Sequence, residues 1–228
     1  MIDKRVQSMA EAMAGIKDGS TVLIGGFGPV GQPDALLEGL IEQGAKDLVC
    51  VANNAGTGHV GLARLMELRR VRKIICSFPR SAGSVVFEAL YKQGLIELEI
   101  VPQGTLAERM RAAGAGIPAF FTATSAGTLL ARGKETRTID GRDYVLESAL
   151  HGDVALVECW RADRWGNLVF NQSGRNFNPV MATAGKLTIV QSQHMVELGT
   201  LDPEAVVTPG IFVDRVLHVP HGDPEMPA

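Results

Sequence analysis

The side chains in this sequence that could do chemistry lie just after its apolar runs, and most of them are hydrogen-bond donors. Four segments stand out: "GGFGPVG" (25–31), "ANNAGTG" (52–58), "SFPRS" (77–81) and "PQGT" (102–105). They supply glycines, the amides of Asn53, Asn54 and Gln103, hydroxyls and the Arg80 cation, and His59 is the one histidine among or beside them. Such a set can hold a carboxylate or stabilise a developing oxyanion. It contains no self-evident nucleophile.

The first segment also carries Gly26, Gly28 and Gly31 in the spacing G-x-G-x-x-G, between a strand-like run and a helix start at Pro33. That pattern is the dinucleotide fingerprint. A dinucleotide fold places Asp or Glu at the end of its second strand to bond the ribose. Here Asn53 and Asn54 stand in that place, and Asp47 precedes the strand at its wrong end. The turn is therefore expected to offer free N–H groups to an anionic or thioester ligand, in preference to NAD.

Other chemistries find little support. The sequence has no G-x-S-x-G elbow, no Walker lysine loop and no H-E-x-x-H, and no metal site is expected. His218 and His221 lie at the tail and His194 reads as a surface residue. Trp160 and Trp165 flank the Asp163-Arg164 turn and read as packing residues with an option on ligand or subunit contact. Cys50, Cys76 and Cys159 are odd in number and far apart, each in or beside an apolar run, which predicts buried thiols in a reducing compartment.

The net charge of −3 leaves no basic surplus for nucleic acid. No uncharged stretch approaches the ~20 apolar residues of a membrane span, and the N-terminus lacks the apolar core of a signal peptide. The expected location is the cytoplasm, with neither membrane nor nucleic acid as partner.

The elements that must position these residues alternate. Val6, Met9, Ala10, Met13 and Ile16 predict an N-terminal helix. Strands at Thr21–Gly25, Leu48–Ala52, Lys73–Ser77 and Ile96–Val101 alternate with helices near 33–43, 60–68, 84–92 and 106–113. Beyond about Ala119 the texture changes to a charged hairpin around Asp140-Gly141, a buried strand "DVALVECW" and a turn at Gly166-Asn167. A helix near 179–184 and strands at 187–191 and 211–219 follow. The expected fold is a three-layer α/β/α domain over residues 1–219, with an open, mostly parallel sheet carrying added antiparallel strands in its C-terminal half. The tail from 220 to 228 is expected to be disordered.

The frame from Asp18 to Pro33, D-G-x-x, three apolar residues, then G-G-F-x-x-x-G-x-P, resembles the N-terminal signature of the family I CoA-transferases. "NNAGTG", "SFPR", "VPQGTLAERMRAAGAGIPAFFT", "GKETR" and "DRWGNLVF…RNFNP" are similar to that family in the same order. The resemblance spans residues 4 to 219 and implies a CoA-transferase-like fold. It also implies a reaction through a glutamate that forms an acyl–glutamyl anhydride and then a glutamyl-CoA thioester. That glutamate lies in an S-E-N-G motif of the family's B-type subunit. No Glu here is followed by Asn-Gly.

The resemblance thus implies an A-type chain that needs a B-type partner, two of each. Gly25, Gly26, Phe27, Gly28, Pro29, Val30 and Gly31 would form the CoA-binding loop, and Asn53, Asn54 and Gln103 the supporting donors. CoA and succinyl-CoA would be substrates, with no tightly bound cofactor. "CSFPR", "DRWGNL" and "ELGTLDPE…TPGIFV" are most similar to the branch of the family acting on 3-oxoadipate, ahead of the branch acting on acetoacetate. The second carboxylate of 3-oxoadipate calls for a cation, with Arg80, Arg137 and Arg164 as candidates. A non-catalytic CoA sensor and an NAD-type oxidoreductase are the rival readings.

Overall fold

The computed structural model describes residues 2–81 and 83–222. The expectation of a disordered tail falls, for residues 223–228, outside the described residues. Among those described, no helix is long and apolar enough to cross a membrane.

The first half alternates as its periodicity predicts. After β1 (Arg5–Val6) and α1 (Met9–Met13) come β2 (Thr21–Ile24), α2 (Asp34–Gln43), β3 (Leu48–Asn54) and α3 (Gly61–Glu67). Then follow β4 (Val71–Phe78), α4 (Val85–Lys92), β5 (Glu97–Ile100) and α5 (Gln103–Gly114). The second half holds β6 (Ala119–Thr122), β7 (Thr136–Ile139), β8 (Arg142–Ser148), β9 (Gly152–Ala162), β10 (Leu168–Val169), α6 (Asn178–Ala184), β11 (Gly185–Met195) and β12 (Arg215–His218).

The main sheet runs β1-β12-β11-β9-β2-β3-β4-β5, all parallel, with the short β10 antiparallel beside β9. Both faces are covered, so the inner stretches of its central strands, Val22–Ile24 of β2, Leu48–Ala52 of β3 and Val154–Val157 of β9, are apolar. Along β2, Val22 and Ile24 join a core with Leu36, Leu37 and Leu40 of α2. Leu23, between them, joins the opposite core with Leu106 and Met110 of α5 and Met181 of α6. This period of two separates the helical layers and gives the α/β/α architecture. Each fully buried Leu contributes on the order of 2 kcal/mol of hydrophobic stabilisation.

Two elements differ from expectation. The charged hairpin does not extend the main sheet: β7 and β8 pair around Asp140, and with β6 they form a separate three-stranded antiparallel sheet. Of the strands that the C-terminal half adds to the main sheet, β9, β11 and β12 are parallel and β10 is antiparallel. At the N-terminus, Val6 belongs to an edge strand paired with Leu217, and the helix starts only at Met9. Ser8 Oγ accepts from Glu11 N–H while the Glu11 carboxylate accepts from Gln7 N–H. This reciprocal cap fixes the start of α1.

Candidate active site

The chain order creates a crevice at one place on the sheet. From β2 it moves outward through β3, β4 and β5, then returns to place β9 on the other side of β2. Ligands of open α/β sheets bind at such a switch point, outside the carboxyl ends of the strands. The segment from Gly25 to Gly31 leaves β2 at that point.

Its own hydrogen bonds fold this loop tightly. Gly25 N–H donates to Leu156 O of β9 at 2.9 Å, and Gly26 N–H donates to Asn176 Oδ1 at 3.1 Å. Phe27 and Val30 exchange backbone bonds of 3.0 and 3.3 Å across the Gly28-Pro29 corner. From outside, Asn176 Nδ2 donates to Val30 O at 3.0 Å and Asn178 Nδ2 to Gly31 O at 2.9 Å. The glycines follow from this crowding: a Cβ on Gly25 would sit 1.8 Å from Asn178 Oδ1, and one on Gly31 2.6 Å from Gly174 O. Among the described residues, the loop N–H groups left without a bond are those of Gly28 and Gly31.

The first turn of α2 does not offer its amides to an anion, because Ala35 and Leu36 N–H both donate to the side-chain oxygen of Gln191, at 3.0 and 3.2 Å. A strand 156 residues away caps the helix. The dinucleotide mode, which needs that helix end for a pyrophosphate, is blocked.

Beside the loop lies a cleft of about 540 Å³, lined by Phe27, Gly28 and Pro29 together with Asn53, Asn54, Ser77, Phe78, Ser81 and Gln103. Asn53, at the end of β3, is only 4% exposed. Its Oδ1 accepts from Ser77 Oγ at 2.7 Å and from Gln103 Nε2 at 2.8 Å. With its oxygen fixed by two donors, the Asn53 amide nitrogen is left as a donor without a partner among the described residues. Gln103, the first residue of α5, keeps a second N–H of its own. The described lining includes no carboxylate, histidine, lysine or cysteine. This arrangement can orient a carboxylate and stabilise negative charge on oxygen. It cannot itself attack a thioester by nucleophile and base.

The Coenzyme A transferase family model matches residues 6–218. The chain belongs to the coenzyme A transferase family. It is 58% identical, over 96% of its length and 95% of the relative's, to the A-type subunit of 3-oxoadipate CoA-transferase from Pseudomonas putida. It is 50% identical, over 94% of its length and 88% of the relative's, to the A-type subunit of succinyl-CoA:3-ketoacid coenzyme A transferase from Xanthomonas campestris pv. campestris. Its fold matches a solved acyl-CoA transferase of Escherichia coli O157:H7, in thioester complex with CoA, with a TM-score of 0.84 at 23% identity. That match covers 97% of this chain and 48% of the solved one, so the chain spans about half of that protein's length.

Within this CoA-transferase chain the structure brings together Asn53, Asn54, Gln103 and the glycine loop. Arg80 follows the lining residue Phe78 but is exposed and paired with Glu88 at 3.2 Å. Arg137 lies on the small sheet, over the Phe121 ring and paired with Glu135. Arg164 donates to Ile2 O. None of the three lines the cleft. His59 pairs with Glu67 on the surface.

Trp160 lines a smaller cavity on the β9 side of the loop, with the Arg161 guanidinium 3.9 Å from its ring centroid. Trp165 is half exposed on a turn held by the buried Asp163, which accepts from Trp165 N–H and from both Asn167 nitrogens. His194, expected at the surface, is half-buried within β11 because that strand continues to Met195. His221 lies 3.7 Å from Glu158 and is not a bystander in the tail. Burial pushes the thiols of Cys50, Cys76 and Cys159 up to about 12, which leaves them inert at neutral pH.

Two residues that shape the site carry no role in the sequence reading: Asn176 and Asn178. Their segment "RNFNP" stands out only as part of the family resemblance. The usable signal is a pair of asparagines around a helix start, Asn176 before it and Asn178 its first residue, where side-chain amides bond backbone. What they bond is a loop 147 residues away for Asn178, which no local pattern encodes.

Proposed function

We propose that this chain is the A-type member of a CoA-transferase built from two kinds of chain, which moves CoA from succinyl-CoA to 3-oxoadipate in the cytoplasm, within aromatic degradation by the β-ketoadipate route. Residues 1–219 form its functional domain, and the working enzyme holds two A-type and two B-type chains. The B-type chain supplies the nucleophilic glutamate. The observation that carries this reading is a cleft whose described lining is rich in amide donors and holds no carboxylate, in a chain 58% identical to its counterpart in a 3-oxoadipate CoA-transferase.

The partner's carboxylate attacks the succinyl-CoA carbonyl, and the C–S bond breaks to give an acyl–glutamyl anhydride and CoA thiolate. The thiolate then attacks the glutamyl carbonyl, releasing succinate and forming a glutamyl-CoA thioester. The acceptor carboxylate reverses the sequence and leaves as its CoA thioester. Each addition puts negative charge on a carbonyl oxygen, where the Asn53 and Gln103 N–H donors act; one such donor is worth about 3 kcal/mol. Asn54 stands beside them on the wall of the cleft. The N–H groups of Gly28 and Gly31 and the exposed Phe27 and Val30 suit the polar and apolar parts of the CoA arm. Arg80, at the rim, is the cation for the second carboxylate of 3-oxoadipate.

A second reading, with acetoacetate as acceptor, is favoured by the 50% identical succinyl-CoA:3-ketoacid relative. The test is the assembled complex assayed on both acceptors, with and without Arg80→Ala. The account expects a higher kcat/KM on 3-oxoadipate, and a selective loss of that preference in the variant. A preference for acetoacetate that the variant leaves unchanged overturns it in favour of the second reading. CoA binding without turnover on either acceptor points to a sensor.

A further inference from the structure

The bond that blocks the α2 helix end is itself held in place by a buried carboxylate. Gln191, 2% exposed, has its oxygen against the N–H groups of Ala35 and Leu36. Its nitrogen donates to Glu158 Oε2 at 2.6 Å. The other Glu158 oxygen accepts from Gln193 Nε2 at 2.8 Å and lies 3.7 Å from His221. Glu158 is near the end of β9, and its backbone N–H donates to Asn178 Oδ1, the same amide whose nitrogen holds Gly31. Burial, with the nearby Asp34 charge, holds the Glu158 carboxyl above its ordinary range, and the Gln193 and Gln191 amide donors and His221 offset only part of that.

A glutamine amide is symmetric in shape but not in chemistry: one end only accepts and the other only donates. Rotated by half a turn, Gln191 would set its NH₂ against two backbone donors. A carboxylate at Glu158, which only accepts, draws the NH₂ end toward itself and so fixes the oxygen toward α2. We infer that Glu158 is a positioning residue: through Gln191 it caps α2 and so fixes the exit of the Gly25–Gly31 loop. Its effect on catalysis rests on the reading of that loop as the CoA-binding loop. Its effect on Gln191 does not.

The test has two arms. Amide hydrogen exchange on the isolated full-length chain follows Ala35 and Leu36. Loss of a side-chain cap should accelerate their exchange about fivefold in Gln191→Leu and in Glu158→Leu, with the near-isosteric Glu158→Gln in between. Unchanged exchange in Glu158→Leu or in Gln191→Leu overturns the inference; if Glu158→Leu does not fold, exchange in Glu158→Gln equal to wild type does so.

The second arm assays the same variants assembled with the partner. KM for succinyl-CoA should rise about fivefold in Glu158→Leu while kcat changes less, with Glu158→Gln restoring part of the difference. A purely structural role would lower thermal stability and leave the KM-to-kcat balance alone. That result overturns the catalytic half of the inference. If the wild-type complex turned over no CoA thioester, the proposed function would fall, and the exchange arm would still decide the role of Glu158.

Discussion

The two walls of the crevice handle their hydrogen-bond donors in opposite ways. In the glycine loop, the N–H groups of Gly25 and Gly26 are tied to β9 and Asn176 and those of Phe27 and Val30 to each other, which leaves only Gly28 and Gly31 among the described donors. In the cleft beside it, the oxygen of Asn53 is held by Ser77 and Gln103, while amide nitrogens remain as donors. Both regions are rich in Gly or Asn and both follow strands, so by composition they look alike. Glycine in the loop permits close approach of Asn176 and Asn178 and sets its shape. The amides in the cleft are positioned by one end and free at the other, which suits stabilisation of charge on a substrate oxygen. On the proposed function, the loop wall serves fit and the amide wall chemistry.

The sharpest way to break this contrast is to change donors without changing packing. Asn53→Asp keeps an oxygen for Ser77 and Gln103 and replaces the free NH₂ with a second acceptor. Turnover of the assembled enzyme should fall by about a hundredfold or more with a melting temperature near wild type; an unchanged kcat would remove Asn53 from the chemistry. Gln103→Ala should lower turnover by about a hundredfold and cost stability far less, and an unchanged rate constant would take Gln103 out of the site.

On the loop side the order reverses, with stability more affected than chemistry. Gly25→Ala forces a Cβ into the Asn178 amide, and chemical denaturation should show a loss of about 1–3 kcal/mol. If the chain kept full stability, the Asn178 contact would not be the reason for glycine. The smallest expected effect lies remote from both walls. The Thr21 N–H, followed by Lys186, holds the Asp153 carboxyl below its usual range. A lowered folded pKa gives stability that is present above the unfolded value of about 3.9 and lost as pH falls through the folded value. Since the Asp153 and Lys186 side chains are well exposed, Asp153→Asn should cost under about 1 kcal/mol at pH 7 and less as pH falls through the folded value. A larger cost at pH 2 than at pH 7 would reverse the sign.

The sequence discloses what depends on local period and hides what depends on distant pairing. The alternation of β2 through α5 follows from short β-branched runs between amphipathic segments. The strand ends are legible for that reason, and at two of them Gln103 Nε2 donates to Asn53 Oδ1. The position of β9 beside β2, which makes the crevice, is a pairing across more than a hundred residues with no local signature. The hairpin at Asp140-Gly141 is legible from its turn, but whether it joins the main sheet depends on β6, a short strand with no alternation to mark it. Val6 fits a helical stripe and an edge strand equally well. The S-x-x-E box at Ser8 and Glu11 decides between them. Gln191 and Asn178 have no local signal, since each acts on a loop or helix contributed by the other half of the chain.

The central claim is that this chain supplies the donors and loop of a shared active site and no nucleophile. It is tested most directly by measuring CoA transfer from succinyl-CoA to 3-oxoadipate with the purified chain, with the purified S-E-N-G partner, and with the two combined. Either chain alone should give no turnover, and the mixture robust turnover. Robust turnover by this chain alone would contradict the central claim.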